Sequence, residues 1–363
     1  MYKNELKALH KSERFRQRKL FDEDLIDLAS NDYLGLAENK KQFRKAVKLV
    51  EKYKTFAPKA SMLVNGYHPI HSRFEEKMAA LNGFEKGLIV GSGFLANLSL
   101  IEALVRKGDR LFMDEEYHAS GVMASQLLGD RVILFRHNSA EDLEEKLEQY
   151  GGRRNIIAVE GVYSMSGEVC NVDIFEVADR ERAMLIVDEA HSSGVLGENL
   201  LGVFEYYDIQ IKPNHIKMGT LGKAYGSYGA YILASSEIIS FLENRAKPII
   251  YSTAPSVFDT ALALVNIDYI SKKAEKFRNL IAERQKLVKS IIGIESPSLI
   301  VALKYSGNSD VLYLQKILIK EGFLVGAIRQ PTVKQPIIRL IPRVGVSKKS
   351  LRKALKILVE CVQ

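Results

Sequence analysis

Residues 183–191 read AMLIVDEAH, and residues 218–226 read MGTLGKAYG. The first stretch is an apolar run that ends in a carboxylate, Asp188, with His191 three positions further on. The second is a turn of small residues around Lys223. An apolar run of this kind is typical of a strand in a sheet that is covered on both faces. The two stretches therefore predict inner strands of an α/β sheet, with functional side chains at their carboxyl ends.

Similar apolar runs recur along the chain and alternate with helical patterns. The predicted strands are 87–90, 110–113, 132–135, 156–160, 184–188, 215–219 and 228–234. The predicted helices are 41–54, 72–81, 94–106, 118–128, 140–150 and 174–182. This alternation predicts a doubly wound, mostly parallel seven-stranded sheet with helices on both faces.

The pattern changes after Pro255. Residues 256–292 predict a long helix that is broken or bent, followed by apolar segments at 299–303 and 337–341 and helices at 310–321 and 348–362. We therefore expect three parts: an N-terminal arm (1–40), a large domain (41–257) and a small α+β domain (258–363).

Composition limits the kinds of protein. The chain has 363 residues, 47% of them hydrophobic, which is enough for a large core. Its net charge of +8 suits an anionic partner or simply solvated helix faces. The densest basic group, within 11–19, has no interleaved aromatic pattern, so we expect no nucleic-acid partner.

Cysteine content and hydropathy indicate the compartment. The two cysteines, Cys170 and Cys361, lie far apart in sequence, so we expect no disulfide framework and a cytoplasmic location. No apolar run approaches the ~18 residues that a membrane-spanning helix needs. The first residues have no apolar signal core, and we expect neither an export signal nor a membrane partner.

The pair of stretches quoted above has the layout of a site for pyridoxal 5'-phosphate (PLP). A lysine such as Lys223 can bind the cofactor aldehyde covalently, and a carboxylate such as Asp188 can keep the ring nitrogen protonated. His191 is then placed to hold the ring oxygen.

Other motifs fit the same site. Residues 91–97 follow a strand and open a helix, where small residues and the helix N-terminus favour a phosphate group. The cofactor-binding residues predicted from these motifs are Ser92, Gly93, Phe94, His118, Ser164, Asp188, His191, Thr220 and Lys223. In this interpretation His118 stacks on the ring, Ser164 contacts the ring oxygen, and Thr220 contacts the phosphate.

Other interpretations of these residues are weaker. The letters DEAH at 188–191 also occur in helicases, but the chain has no phosphate loop of the form GxxxxGK followed by Ser or Thr. A metal site from His118, Asp188 and His191 is formally possible, although HExxH and CxxC patterns are absent and we predict no metal. Arg339 lies in an apolar run and needs a carboxylate partner, from the protein or from a substrate.

As an ordered set, these motifs resemble those of the α-oxoamine synthases, a family of fold-type I PLP enzymes. The matching segments are 30–36 (SNDYLGL), 92–97, 117–120 (YHAS), the loop with Ser164, 188–191 and 220–223. The resemblance, which runs from residue 14 onward, implies catalytic roles for Lys223, His118, Asp188 and His191. It also implies a homodimer with sites at the interface, where Thr253 would reach the neighbour's phosphate.

The resemblance also implies substrates. Residues 327–333 (AIRQPTV) are similar to a C-terminal motif of the members that join L-alanine to a pimeloyl thioester, carried by CoA or by a carrier protein, in biotin biosynthesis. The implied substrate-binding residues are Arg16 (with Arg14 or Arg18 as alternatives), Asn31, Thr332 and Arg339. The chain departs from the family at 58–61, where PKAS replaces a glycine-rich segment.

Two alternatives remain open at this point. One is a glycine-using member of the family, such as a glycine C-acetyltransferase or a 5-aminolevulinate synthase. The other is a protein that binds PLP or an acyl carrier without turnover.

Overall fold

The computed structural model describes residues 1–361. The α-helices are α1 (Lys3–Lys11), α2 (Lys40–Val50), α3 (Pro69–Asn82), α4 (Gly93–Leu104), α5 (Ala119–Ser125), α6 (Ala140–Tyr150), α7 (Asp173–Arg180), α8 (Val203–Tyr206), α9 (Ser236–Arg245), α10 (Lys247–Ile250), α11 (Val257–Ser271), α12 (Ala274–Ile292), α13 (Asn308–Lys320) and α14 (Lys348–Glu360). The strands are β1 (Ile26–Asp27), β2 (Lys86–Val90), β3 (Arg110–Asp114), β4 (Val132–Phe135), β5 (Asn155–Glu160), β6 (Met184–Asp188), β7 (His215–Thr220), β8 (Ala230–Ala234), β9 (Val301–Lys304), β10 (Phe323–Leu324), β11 (Gly326–Ile328) and β12 (Ile337–Leu340). A π-helical turn covers Met62–Gly66, and a 3-10 segment covers Gln126–Arg131.

The chain divides into two compact units. The large unit comprises Leu34–Ser164 and Glu168–Arg278, and the small unit comprises Met1–Tyr33, Met165–Gly167 and the chain from Asn279 onward. The three-part division expected from the sequence, with boundaries after residues 40 and 257, remains a prediction. Within residues 1–361, no helix combines the length and the apolar character needed to span a bilayer.

A seven-stranded sheet forms the centre of the large unit, in the order β2-β8-β7-β6-β5-β3-β4. β8 runs antiparallel to both of its neighbours, β2 and β7, and the other pairs are parallel. This confirms the predicted mostly parallel sheet. All but the last predicted strand agree with the observed bounds to within one residue. Tyr228 and Gly229 precede β8, because Gly229 has φ +122°, which a strand does not accept.

Burial explains why these apolar runs become inner strands. Every residue of β8 is buried, as are the last four of β6 and the last five of β5. Side chains of a strand alternate between faces, so a continuous apolar run is buried only when both faces are covered. One core cluster joins strand residues such as Met113, Ile186 and Ile232 to Leu100 of α4.

Local capping sets several helix starts. Ser139 accepts a hydrogen bond from the Asp142 N–H (3.2 Å), so α6 begins at residue 140 as predicted. The helix predicted over 118–128 is shorter than expected, because α5 ends at Ser125 and a 3-10 segment follows. The predicted break within 256–292 lies at residues 272–273, between α11 and α12.

The small unit contains two short sheets. β11, β12 and β9 form an antiparallel sheet, and β1 pairs with β10 in parallel. Its core includes Leu28, Phe323 and Ile338 together with apolar residues of α13 and α14. The predicted helices at 310–321 and 348–362 correspond to α13 and α14, and residue 362 lies outside the described part of the chain.

Candidate active site

Asp188 occupies the carboxyl end of β6, as predicted. The carboxylate is 4% exposed. One oxygen, Oδ2, accepts a hydrogen bond from Asn97 Nδ2 (3.0 Å), and the other, Oδ1, accepts one from the Ala190 N–H (3.0 Å). These two donors fix the orientation of the carboxylate at the end of the strand.

Lys223 and His191 meet although they lie in different loops. Lys223 belongs to the turn that follows β7, and His191 to the segment that follows β6. Lys223 Nζ lies 2.7 Å from His191 Nε2, a hydrogen-bond distance. The two strands are neighbours and parallel, so their carboxyl ends bring the two loops to the same edge of the sheet.

His118 is the N-cap of α5 and is linked to Asp188 through a chain of hydrogen bonds. Its Nδ1 lies 2.7 Å from Ser120 Oγ, which accepts a hydrogen bond from Asn97 Nδ2 (2.9 Å). Asn97 Oδ1 in turn accepts one from the Tyr117 hydroxyl (2.8 Å). Burial is the main reason that the pKa of His118 falls below its usual value; Asp188 opposes this shift and Lys223 adds to it.

A cavity of about 220 Å³ brings these groups together within the large unit. It is lined by Ser92, Gly93, Phe94, Asn97, His118, Ser120, Glu160, Asp188, Ala190, His191, Met218, Thr220, Gly222, Lys223, Tyr228 and Gly229. Eight of the ten predicted cofactor-binding residues are among them. Ser164 is not; its backbone N–H donates to Glu160 Oε2 (3.0 Å), one step behind the lining. Thr253 is also outside the lining, in the exposed loop before α11.

One end of the cavity has the features of an anion site. Ser92 caps α4, whose first residue is Gly93. A Cβ on Gly93 would lie 3.3 Å from Thr220 Cγ2, so the absence of a side chain keeps this end open. The N–H groups at a helix start attract a negatively charged group such as phosphate.

The four predicted substrate-binding residues belong to the small unit, where they form two pairs. Arg16 Nη2 donates to Thr332 Oγ1 (2.7 Å), and Arg339 Nη1 donates to Asn31 Oδ1 (2.9 Å). Arg339 is 5% exposed.

The segment that carries His191 is held by a buried ion pair. Lys217 Nζ lies 3.4 Å from Glu189 Oε1, and both side chains are almost completely buried. Glu189 also accepts hydrogen bonds from the Ser192 hydroxyl and from the Val203 N–H (2.8 Å). Its carboxylate thereby connects β7 to both ends of the loop that follows His191.

Sequence reasoning missed the roles of several lining residues. Asn97 and Ser120 stand within quoted motifs, but nothing local showed that they join Asp188 to His118. Glu160 closes the predicted strand 156–160, the same signal that singled out Asp188, and was passed over. Among residues 1–361, no cluster of three or more His, Cys, Asp or Glu side chains is arranged to hold a metal ion.

A lysine, a fixed carboxylate and a capped helix start therefore lie together at the carboxyl ends of a mostly parallel α/β sheet. The family model Aminotransferase class I and II matches residues 23–358, and the chain belongs to this family.

More specific similarity comes from individual proteins. The chain is 45% identical over 344 residues to the 8-amino-7-oxononanoate synthase of Helicobacter pylori strain J99, an alignment that covers 94% of this chain and 92% of that protein. A crystal structure of 8-amino-7-oxononanoate synthase from Francisella tularensis has a TM-score of 0.79 at 25% identity, covering 94% of this chain and 98% of that one. A serine palmitoyltransferase from S. paucimobilis, solved with bound PLP and myriocin, has a TM-score of 0.88 at 22% identity. That alignment covers 99% of this chain and 96% of that one. These similarities confirm the fold class, the family resemblance and the enzyme class expected from the motifs.

Proposed function

We propose that this chain is a PLP-dependent acyltransferase that condenses L-alanine with a pimeloyl thioester and releases carbon dioxide, a free thiol and 8-amino-7-oxononanoate. The observation that carries the proposal is the meeting of Lys223, His191 and Asp188 in one cavity. Family membership and the 45% identity to an 8-amino-7-oxononanoate synthase support it. The homodimer and the cytoplasmic location expected from the sequence belong to the same proposal.

The groups around the cavity suit three polar parts of PLP. An amine is available for the aldehyde, a carboxylate for the ring nitrogen, and a capped helix start for the phosphate. The residues proposed to hold the cofactor are Ser92, Gly93, Phe94, His118, Ser164, Asp188, His191, Thr220 and Lys223, with Thr253 from a second copy. When bound, PLP supplies a cationic ring that withdraws electrons from the amino acid Cα.

Asp188 is the anion of the site in this proposal. Its negative charge stabilises a proton on the ring nitrogen, because opposite charges at short distance favour the ionised form of each. The hydrogen bonds from Asn97 and from the Ala190 N–H hold both carboxylate oxygens before any ligand arrives. A carboxylate that is fixed in advance loses no orientational freedom when it binds the ring.

Lys223 is the proton carrier. As a free amine, its Nζ takes the proton from the amino acid Cα, and His191 lies close enough to share it. The lowered pKa of His118 favours a neutral imidazole, which can cover one face of the ring without adding positive charge.

The small unit carries the residues assigned to substrates. A guanidinium binds a carboxylate through two parallel hydrogen bonds, which suits Arg339 to the carboxylate of the amino acid, with Asn31 beside it. Arg16 and Thr332, already hydrogen-bonded to each other, are assigned to the acyl substrate.

A thiol-release assay tests the proposal. The purified protein is first loaded with PLP. Each of the two amino acids, alanine and glycine, is then combined in turn with the pimeloyl, acetyl or succinyl thioester of CoA. We expect thiol release with alanine and the pimeloyl thioester. Thiol release with glycine but not with alanine would overturn the substrate assignment. A failure to bind PLP would overturn the cofactor assignment. A parallel series with carrier-bound pimeloyl thioester identifies the preferred donor.

A further inference from the structure

Glu160 is a buried carboxyl group beside Asp188 that the proposed mechanism does not use. It ends β5, and its register partner on the neighbouring parallel strand is Asp188 itself. Glu160 is 1% exposed and lines the same cavity as Lys223 and Asp188.

The two oxygens of Glu160 differ in their contacts. Oε2 accepts a hydrogen bond from the Ser164 N–H (3.0 Å). Oε1 is buried and has no hydrogen-bond partner among residues 1–361. Buried polar atoms are nearly always paired, because an unpaired one loses its hydration without compensation. An unpaired carboxyl oxygen on a residue that lines a cavity therefore points to a partner that arrives with the ligand.

The charges around Glu160 decide which form the carboxyl takes. Burial is the main cause that raises the pKa of Glu160 well above its usual value, the charge of Asp188 raises it further, and Lys223 opposes both. The titratable groups that interact with Glu160 include Asp188, Lys223, Asp114, Tyr117 and Tyr163. Glu160 and Asp188 are paired across neighbouring strands, and Glu160 accepts one hydrogen bond from the protein where Asp188 accepts two. Glu160 therefore keeps the proton and carries an O–H group.

We propose that Glu160 is a further ligand-binding residue of this cavity, which donates a hydrogen bond from Oε1 to an anionic oxygen of the bound cofactor or substrate. The proposal rests on the proposed function, because that function supplies ligands with such oxygens: the ring oxygen of PLP and the carboxylate of the amino acid.

Two variants test it. Glu160→Gln keeps the size of the side chain, an acceptor for the Ser164 N–H and a donor toward the cavity, but cannot ionise. Glu160→Leu removes both polar groups. Glu75→Gln is the matched control, because Glu75 is also a buried carboxyl with a raised pKa, of about 7, and is not among the lining residues. Thermal unfolding of each apo-protein identifies variants that fail to fold.

The readouts are PLP affinity of the apo-protein, the pH dependence of the visible spectrum of the PLP complex, and alanine affinity. We expect Glu160→Gln to stay within about threefold of the wild type and Glu160→Leu to lose about tenfold or more, the effect of one hydrogen bond to a charged group. A loss in PLP affinity with a shifted spectral titration identifies the ring oxygen as acceptor. A loss confined to alanine affinity identifies the substrate carboxylate.

Three results overturn the inference. The first is that Glu160→Leu matches the wild type in all readouts. The second is that Glu160→Gln loses as much ligand affinity as Glu160→Leu, which would mean that a negative charge on Glu160 is needed. The third comes from infrared spectra of the wild-type and Glu160→Gln apo-proteins near neutral pH. The inference fails if their difference spectrum lacks the carbonyl band of a protonated carboxylic acid. Wild-type protein that binds no PLP overturns the proposed function instead, and the infrared result still decides the form of Glu160.

Discussion

Lys223 Nζ and His191 Nε2 lie 2.7 Å apart, so the amine and the imidazole share one hydrogen bond. Such a bond needs a proton on one nitrogen and a lone pair on the other, and two cations cannot form it. At least one of these groups is therefore neutral in this arrangement. In the proposed mechanism, this contact gives the proton that Lys223 takes up a second position on His191.

Lys223→Ala tests the covalent role of the amine. We expect no covalent attachment of PLP and a loss of activity of about a thousandfold or more, because the variant has no amine in this position. Borohydride reduction followed by mass spectrometry measures the attachment. The exposed Lys107→Ala is the control and should be labelled like the wild type. Stable labelling of Lys223→Ala at another lysine would contradict the assignment.

Asn97→Ala tests the hydrogen-bond chain between Asp188 and His118. It removes buried partners of Asp188, Ser120 and Tyr117, and we expect a free energy of unfolding lower by ~1–3 kcal/mol together with a PLP affinity reduced about tenfold. Denaturant unfolding and PLP titration measure the two effects.

Asn266→Ala is the matched control for that experiment. Asn266 is also fully buried and donates to the Tyr225 carbonyl (2.7 Å), but it does not line the cavity. It should lose stability and keep its PLP affinity. Equal losses of affinity in the two variants would show that the effect of Asn97 is only structural.

His137 should make stability depend on pH. Burial opposes its charged form, but the hydrogen bond and the charge of Asp114, with help from Glu168 and Glu116, outweigh burial and raise the pKa of His137 to about 9. The usual pKa of histidine in an unfolded chain is about 6.5. Because the folded pKa is the higher one, the stabilisation is complete below about pH 6.5 and is lost as the pH rises through about 9.

The variant His137→Gln isolates this contribution. We expect the wild type to exceed it in free energy of unfolding by ~2 kcal/mol near pH 6, a value reduced for solvent screening, and by almost nothing above about pH 10. Urea unfolding across this range measures the difference. A difference that stays constant with pH would mean that the charge of His137 does not contribute.

Lys217→Met tests the buried ion pair behind the site. It leaves Glu189 buried without its cation, so the free energy of unfolding should fall by ~3–5 kcal/mol, whereas the double variant Lys217→Met, Glu189→Gln should recover part of this loss. Lys247→Met breaks a pair with Glu102 in which the lysine is largely exposed, and should cost at most ~1 kcal/mol. A double variant no more stable than Lys217→Met would argue that packing, rather than charge, dominates.

The sequence predicted the sheet, and it selected the principal candidate site residues, for physical reasons. A continuous apolar run such as 184–188 requires burial on both faces, and the carboxyl end of such a strand is where a polar side chain meets a ligand. Asp188, His191 and Lys223 could therefore be selected without knowledge of the order of the strands. The small residues at 91–97, between a strand and a helix, indicated the anion site in the same way, and the family resemblance implied a catalytic role for His118.

Other features depended on contacts between distant residues. Glu160 and Asp188 become neighbours only because β5 pairs with β6, and Asn97 reaches Asp188 across a separation of 91 positions. The strands β1, β10 and β11 contain two or three residues, too few to produce a recognisable period. The secondary-structure propensity of a short stretch of sequence carries no information about such contacts between distant residues.

The pairing of β2 with β8 has a consequence for synthesis on the ribosome. β2 is synthesised first among the strands of the large sheet. Its hydrogen-bonded partner, β8, is synthesised last, after all the other strands of that sheet. The turn with Lys223 lies just before β8 in the sequence. The segment that carries the amine and the strand that joins β2 to β7 are therefore synthesised one after the other. Nascent chains that stop short of residue 230 therefore lack the strand that lies between β2 and β7.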